Sequence, residues 1–154
     1  MSVPMRRTTL GDLAVPFFII GGTAYVLLRL SYDSLPPLSI YVPLPLALLA
    51  FVELVMARRV RAAVRHDPNA RPMAAIVIAR WVALGKASSV VGAGVAGGAV
   101  GMIVRLLPDV GTVDLAGHDA TVAGLLFAAS ALLAGAGLLL ERAGIDPGRD
   151  RRTS

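Results

Sequence analysis

Cysteine is absent from this 154-residue chain, histidine occurs twice, tryptophan once, and charged residues make up only 16%. Each shortage excludes something. Without cysteine there are no disulfides, thiol nucleophiles or thiolate metal sites, and redox chemistry leaves no trace of the compartment. His66 and His118 fall in connectors on opposite sides of the apolar segments, so they share no metal and form no dyad; no metal and no cofactor is expected. Carboxylate pairs for acid–base work are missing too, since Glu53 is the one acid well inside an apolar segment. A soluble domain averages about 25% charged residues, whereas this chain is 56% hydrophobic with a mean hydropathy of +0.72. These values imply an integral membrane protein. The net charge of +5 would point to nucleic acid in a soluble chain. Here its distribution reports orientation instead, and no nucleic-acid partner is expected.

What the chain does have is long apolar runs rich in small residues. The stretch Ala79 to Leu107, ARWVALGKASSVVGAGVAGGAVGMIVRLL, carries Lys86 as its one charge between Val82 and Val104. About 20 apolar residues at about 1.5 Å rise cover a hydrocarbon core of about 30 Å, so this reads as a membrane-spanning helix. Steps of four connect Gly85, Ser89, Ala93, Gly97 and Gly101, and Gly94 with Gly98 forms a further small-xxx-small pair. Such a face lets helix backbones approach closely in lipid, where apolar side chains gain nothing by leaving hydrocarbon. Gly92-Ala-Gly94-Val-Ala-Gly97 also fits the GxGxxG pattern of dinucleotide loops. That fingerprint requires a strand before it and a helix opening after it, and here the glycines lie inside one apolar run.

Along the chain, a first span covers about 10–31, with Asp12 near its start, Arg29 near its end and Pro16 near its entry. A cleaved signal peptide is the competing reading; the length of the run and the lack of an A-x-A site count against it. Pro36-Pro37 breaks the chain before a second span, about 40–58, opened by Pro43 and Pro45. Arg58, Arg59, Arg61 and Arg65 follow at helical spacing, within a basic loop over 58–78, and either lie against anionic lipid head groups or form a solvated loop. The third span is about 79–107. A polar connector leads to Asp119, read as an N-cap, and to a charge-free fourth span over about 119–141. Gly144 and Pro147 end it, and the tail over 144–154 reads as disordered.

Arg6, Arg7, Arg58, Arg59, Arg61, Arg65, Arg71, Arg142, Arg149, Arg151 and Arg152 all fall on one side of this four-span arrangement. That side, with both termini, is therefore expected in the cytoplasm, and the membrane is the plasma (inner) membrane. On the other side Arg29 with Asp33, and Arg105 with Asp109, are spaced to pair at the outer rim, while Tyr32 and Tyr41 suit an aromatic belt.

Catalysis needs converging groups. Lys86 and Ser89 share a helical face as in Ser/Lys hydrolases, but no oxyanion-hole signature accompanies them, and a snorkelling lysine with backbone-bonded serines is the simpler reading. Glu53 and Lys86 lie at matched depth, about 7 and 9 Å inside the arginine boundary at about 1.5 Å per residue. The expectation is an intramembrane ion pair of Glu53 with Lys86 or Arg80 that holds the second span against the third.

The sequence resembles an actinobacterial family of small four-span membrane proteins, domain of unknown function 3180. The resemblance rests on LLRLSYDSLPP (Leu27–Pro37), ARWVALGKASSVVGA (Ala79–Ala93), Glu53 and the terminal LLLER, and covers nearly the whole chain; the outer connector is more acidic here. It implies a fold and a location. Members look like neighbours of folate-biosynthesis genes, which assigns no reaction.

The expectation is thus an all-α polytopic membrane protein of one domain, with four transmembrane helices in two antiparallel hairpins. It acts by interaction and without catalysis, as a packing or scaffold subunit. Its partners are the lipid bilayer and either a second copy or another membrane protein. The alternative is a small transporter or ion-conducting protein using Glu53, Arg80 and Lys86.

Overall fold

The computed structural model describes residues 8–31, 36–65, 67–68, 71–111 and 114–144, the side chain of Asp114 excepted. Tyr32, Asp33, His66 and the tail from 145 lie outside the described residues. Four long helices account for most of the described chain: α1 (Leu10–Ser31), α2 (Leu44–Val64), α3 (Ala75–Leu106) and α4 (Asp114–Ala143). A single 3-10 turn, Leu107–Asp109, ends α3.

Local chemistry sets the helix starts. Thr9 and Asp12 form a capping box at α1: the Thr9 N–H and hydroxyl donate to Asp12 Oδ2 at 2.8 and 2.9 Å, while the Asp12 N–H reaches Thr9 Oγ1 at 3.4 Å. Two of the first-turn donors that a helix leaves unsatisfied are thereby engaged. Pro43 and Pro45 flank the first residue of α2, where a missing N–H breaks no helical bond. At α3 the Val77 and Ile78 N–H groups donate to Ala74 O, so this helix begins four residues earlier than its apolar run suggests. α4 begins five residues early, at Asp114. Asp119 is consequently inside α4, buried, and is not the N-cap that the sequence suggested.

The helices stand in a row, α1–α3–α4–α2, with extensive packing between neighbours, slight contact of α2 with α3, and none between α1 and α2. Of the two expected hairpins only α3–α4 is a packed antiparallel pair. α1 instead runs parallel to α3, Phe17 meeting Gly97 and Gly21 meeting Gly101, and α2 runs parallel to α4. The reason is steric: α1 and α2 each dock on a helix of the second pair that offers small residues, and those two helices lie at the centre. The N-termini of α1 and α3 and the C-termini of α2 and α4 share one end of the row, which brings Arg58, Arg59, Arg61, Arg65 and Arg80 together with Arg142.

Three helical segments, in α1, in α3 with its 3-10 turn, and in α4, are long and apolar enough to cross a membrane. α2 is not among them, because Glu53, Arg58, Arg59 and Arg61 lie within its 21 residues. It extends to Val64 because Ala57 and Val60 pack with Leu140 and Ala143, and Val64 and Trp81 close over the same cluster.

Candidate functional site

The glycines of α3 lie within an unbroken helix, which rules out a phosphate-binding turn at Gly92, Gly94 and Gly97. They do not form one face for one partner. Gly85 and Gly92 meet α4: a Cβ on Gly85 would stand 2.7 Å from Gly137 O, and one on Gly92 would stand 2.7 Å from Ala134 N. Gly97 and Gly101 meet α1, where a Cβ would strike the carbonyl oxygens of Phe17 and Gly21. Gly94 faces the Ile20 side chain, and Gly98 touches it more loosely at 3.4 Å. Ser89 and Ala93 are buried along the same helix, and the Ser89 hydroxyl donates to its own Lys86 O at 2.8 Å. A 3.6-residue repeat turns a stripe of small residues around the helix, so it serves two neighbours in succession. Gly137 on α4 completes the contact, since a Cβ there would collide with Gly85 O and Ser89 N.

Glu53 is buried on the side of α2 that packs against α4. On α2 it lies between Ala50, which packs on Leu133 and Ala136, and Ala57, which packs with Leu140. It therefore faces the α4 stretch containing Gly137. Its side chain is 0% exposed, and neither Oε1 nor Oε2 has a hydrogen-bond partner. Ser88 of α3, itself buried, is close enough to interact with it. The expected ion pair is not formed: Lys86 and Arg80 are exposed, and the carboxyl bonds to neither. The physical reason is the helix order, because α2 packs on α4 and touches α3 only slightly.

Two further buried carboxyls, at opposite ends of α4, tie down the segments that lead into the edge helices. Asp119 Oδ1 accepts the Leu38 N–H at 3.0 Å, and His118 Nε2 stands 3.1 Å from Leu38 O, six residues ahead of α2. Glu141 Oε1 accepts the Thr8 N–H at 2.8 Å, just ahead of α1. Backbone N–H groups outside regular structure must find acceptors when removed from water, and these carboxyls supply them. Sequence reasoning missed both. The signal for Asp119 was a His-Asp pair ahead of a charge-free run, which resembles an ordinary cap; Glu141 reads as a helix-end residue.

At the same end of α3 as the connector, Arg105 Nη1 donates to Asp109 Oδ2 at 2.7 Å, while Asp33, the counterpart for Arg29, lies outside the described residues. Arg58, Arg59, Arg61 and Arg65 are all exposed on the end of α2. Beside α1, an open apolar groove of about 220 Å³ runs between Phe17, Phe18 and Tyr25 on one side and Val100 and Val104 on the other, floored by Gly21, Gly22, Gly97 and Gly101.

An all-α row of helices with three apolar segments of membrane-crossing length, glycine-mediated contacts and buried carboxyls defines a helical membrane protein in class. The chain belongs to the protein of unknown function family DUF3180, whose model matches residues 13–147. No curated protein and no solved structure matches it.

Proposed function

We propose that this protein crosses the plasma (inner) membrane four times with both termini in the cytoplasm, and that it acts as a non-catalytic subunit that docks another membrane protein. In this reading α2 is the fourth crossing. It runs beside α4 along much of that helix, and residues ahead of it reach Asp119 near the opposite end. The cluster of arginines at one end supports the orientation, through the preference of cytoplasmic loops for lysine and arginine. The exposed arginines of α2 then lie against anionic head groups.

The observation that carries the docking reading is the state of α1. It packs on α3 along one stripe, leaves Phe18, Ile19, Val26 and Leu27 exposed, and borders the glycine-floored groove. A Cβ added at Gly22 would meet nothing within 4 Å. A groove with so little side chain on its floor admits a transmembrane helix of a partner at short backbone distance, the arrangement by which helices associate in lipid. The glycine stripe of α3, by contrast, is occupied by the protein's own α1 and α4. The transporter alternative draws less support, since Glu53, Arg80 and Lys86 do not form a connected polar path.

Affinity purification in mild detergent tests this. The unaltered chain should bring down a stoichiometric membrane partner, and Gly22→Phe should lose that partner without lowering the protein's own melting temperature. A chain that purifies alone, or a Gly22→Phe variant that retains the partner, overturns the reading.

A further inference from the structure

Glu53 differs from the other buried carboxyls in kind. Asp119 and Glu141 each accept a backbone N–H, whereas both Glu53 oxygens are without a hydrogen bond although the side chain is 0% exposed. An ionised carboxylate in such a place would have given up hydration for nothing, which costs several kcal/mol in protein or lipid interiors. The neutral acid avoids that cost, and its O–H is a donor with the Ser88 side chain in reach.

We propose that Glu53 is a reversible proton-binding site, with Ser88 Oγ accepting the hydrogen bond of the protonated carboxyl, and that protons reach it from the arginine-bearing end. The step adds a proton from water to the carboxylate and removes it again, with no other bond made or broken. The surroundings favour a proton over a metal cation. One carboxyl and one hydroxyl fall well short of the six to eight oxygens, counted roughly, that a hard cation gathers. No group of three His, Cys, Asp or Glu side chains converges among the described residues. Access from the arginine-bearing end follows from distance, since Arg58 is about 7.5 Å along α2 at about 1.5 Å per residue. It follows also from position, since α2 is an edge helix held chiefly by α4 and so the element with least to lose on local opening. The charged groups on the elements around Glu53 are Arg58, Arg59 and Arg61 of α2 itself, Arg80, Lys86 and Arg105 of α3, and Asp114, Asp119, Glu141 and Arg142 of α4, which also carries His118; Arg58, Arg59, Arg61, Arg80, Lys86 and Arg142 are exposed, Arg105 pairs with Asp109, Asp119 accepts from Leu38, and Glu141 is engaged with Thr8. The site stands whether or not the protein docks a partner.

Infrared spectroscopy of the full chain in lipid vesicles tests the site directly. The chain has two glutamates, Glu53 and Glu141, so carboxyl-13C glutamate labels these two side chains. The expected result is a protonated-acid C=O band that shifts with the label, survives Glu141→Gln, and disappears in Glu53→Gln. Ser88→Ala should move the band to higher frequency by removing its hydrogen bond. Raising the pH should abolish the band, by about tenfold per pH unit beyond its midpoint, and lowering the pH should restore it. Absence of a label-sensitive acid band overturns the proposal, and so does a band that persists until the protein unfolds. If Glu53→Gln fails to fold, the label shift and the Ser88→Ala shift decide the question on the folded protein.

Discussion

Asp119 on α4 accepts the N–H of Leu38, 81 residues earlier in the chain, at 3.0 Å, and the neighbouring His118 stands 3.1 Å from the carbonyl of the same residue. One helical turn of α4 therefore engages both backbone groups of a residue outside regular structure. This fixes where the chain enters α2, and with it the height at which Glu53 meets α3 and α4.

Replacing that acceptor should be costly. A hydrogen bond to a charged group contributes about 1.5 to 3 kcal/mol, so Asp119→Ala should destabilise the protein by about that amount. Asp119→Asn, which keeps an acceptor oxygen, should lose less than half as much. Thermal unfolding in detergent reads both; equal stability of Asp119→Ala and the unaltered chain would show that the contact holds nothing.

The glycines separate by what surrounds them. Gly97→Ala places a methyl against the Phe17 carbonyl, and Gly137→Ala places one against Gly85 and Ser89, so each should lower stability by about 1 to 3 kcal/mol through overpacking. Gly135→Ala meets nothing within 4 Å and should be neutral or stabilising by up to about 1 kcal/mol through helix propensity. Equal effects at Gly97, Gly137 and Gly135 would mean that the close approaches do not exist in the membrane.

The capping box at α1 predicts a smaller effect. Thr9→Ala should cost about 1 kcal/mol and Thr9→Ser almost nothing, because serine retains the hydroxyl that meets Asp12. Hydrogen exchange in the first turn of α1 is the local readout, and it should quicken in Thr9→Ala alone.

The orientation proposed above is open to labelling, and the lack of native cysteine removes background. In intact cells an impermeant thiol reagent should modify Val110→Cys and leave Arg71→Cys untouched. Both positions are exposed in the fold, so access to the reagent depends on the side of the membrane. The opposite pattern would invert the protein.

Much of this architecture is local and was legible in the residues themselves. Helical class, four long segments, the membrane-length runs in α1, α3 and α4, and the family follow from hydropathy, proline and glycine placement and recognisable motifs, because each depends on a stretch of chain read by itself. Charge placement acts in the same way: the arginines of alternate connectors gather at one end whatever the lateral order of the helices.

The lateral order was decided only in the tertiary structure. Small residues occur on α1, α3 and α4 alike, and nothing in their spacing says that Gly97 meets Phe17 while Gly85 meets Gly137. Matched depth suggested a Glu53–Lys86 pair, yet depth is one coordinate of three, and the rotation and neighbours of α2 place Glu53 against α4 and beside Ser88. The carboxyls of Asp119 and Glu141 look like helix-end residues in one dimension and become acceptors for Leu38 and Thr8 only when separate segments are brought together. Residue identity determines what a segment prefers as its solvent; which segment it touches is settled by shape complementarity among helices of nearly equal polarity, and sequence pattern alone barely distinguishes those alternatives.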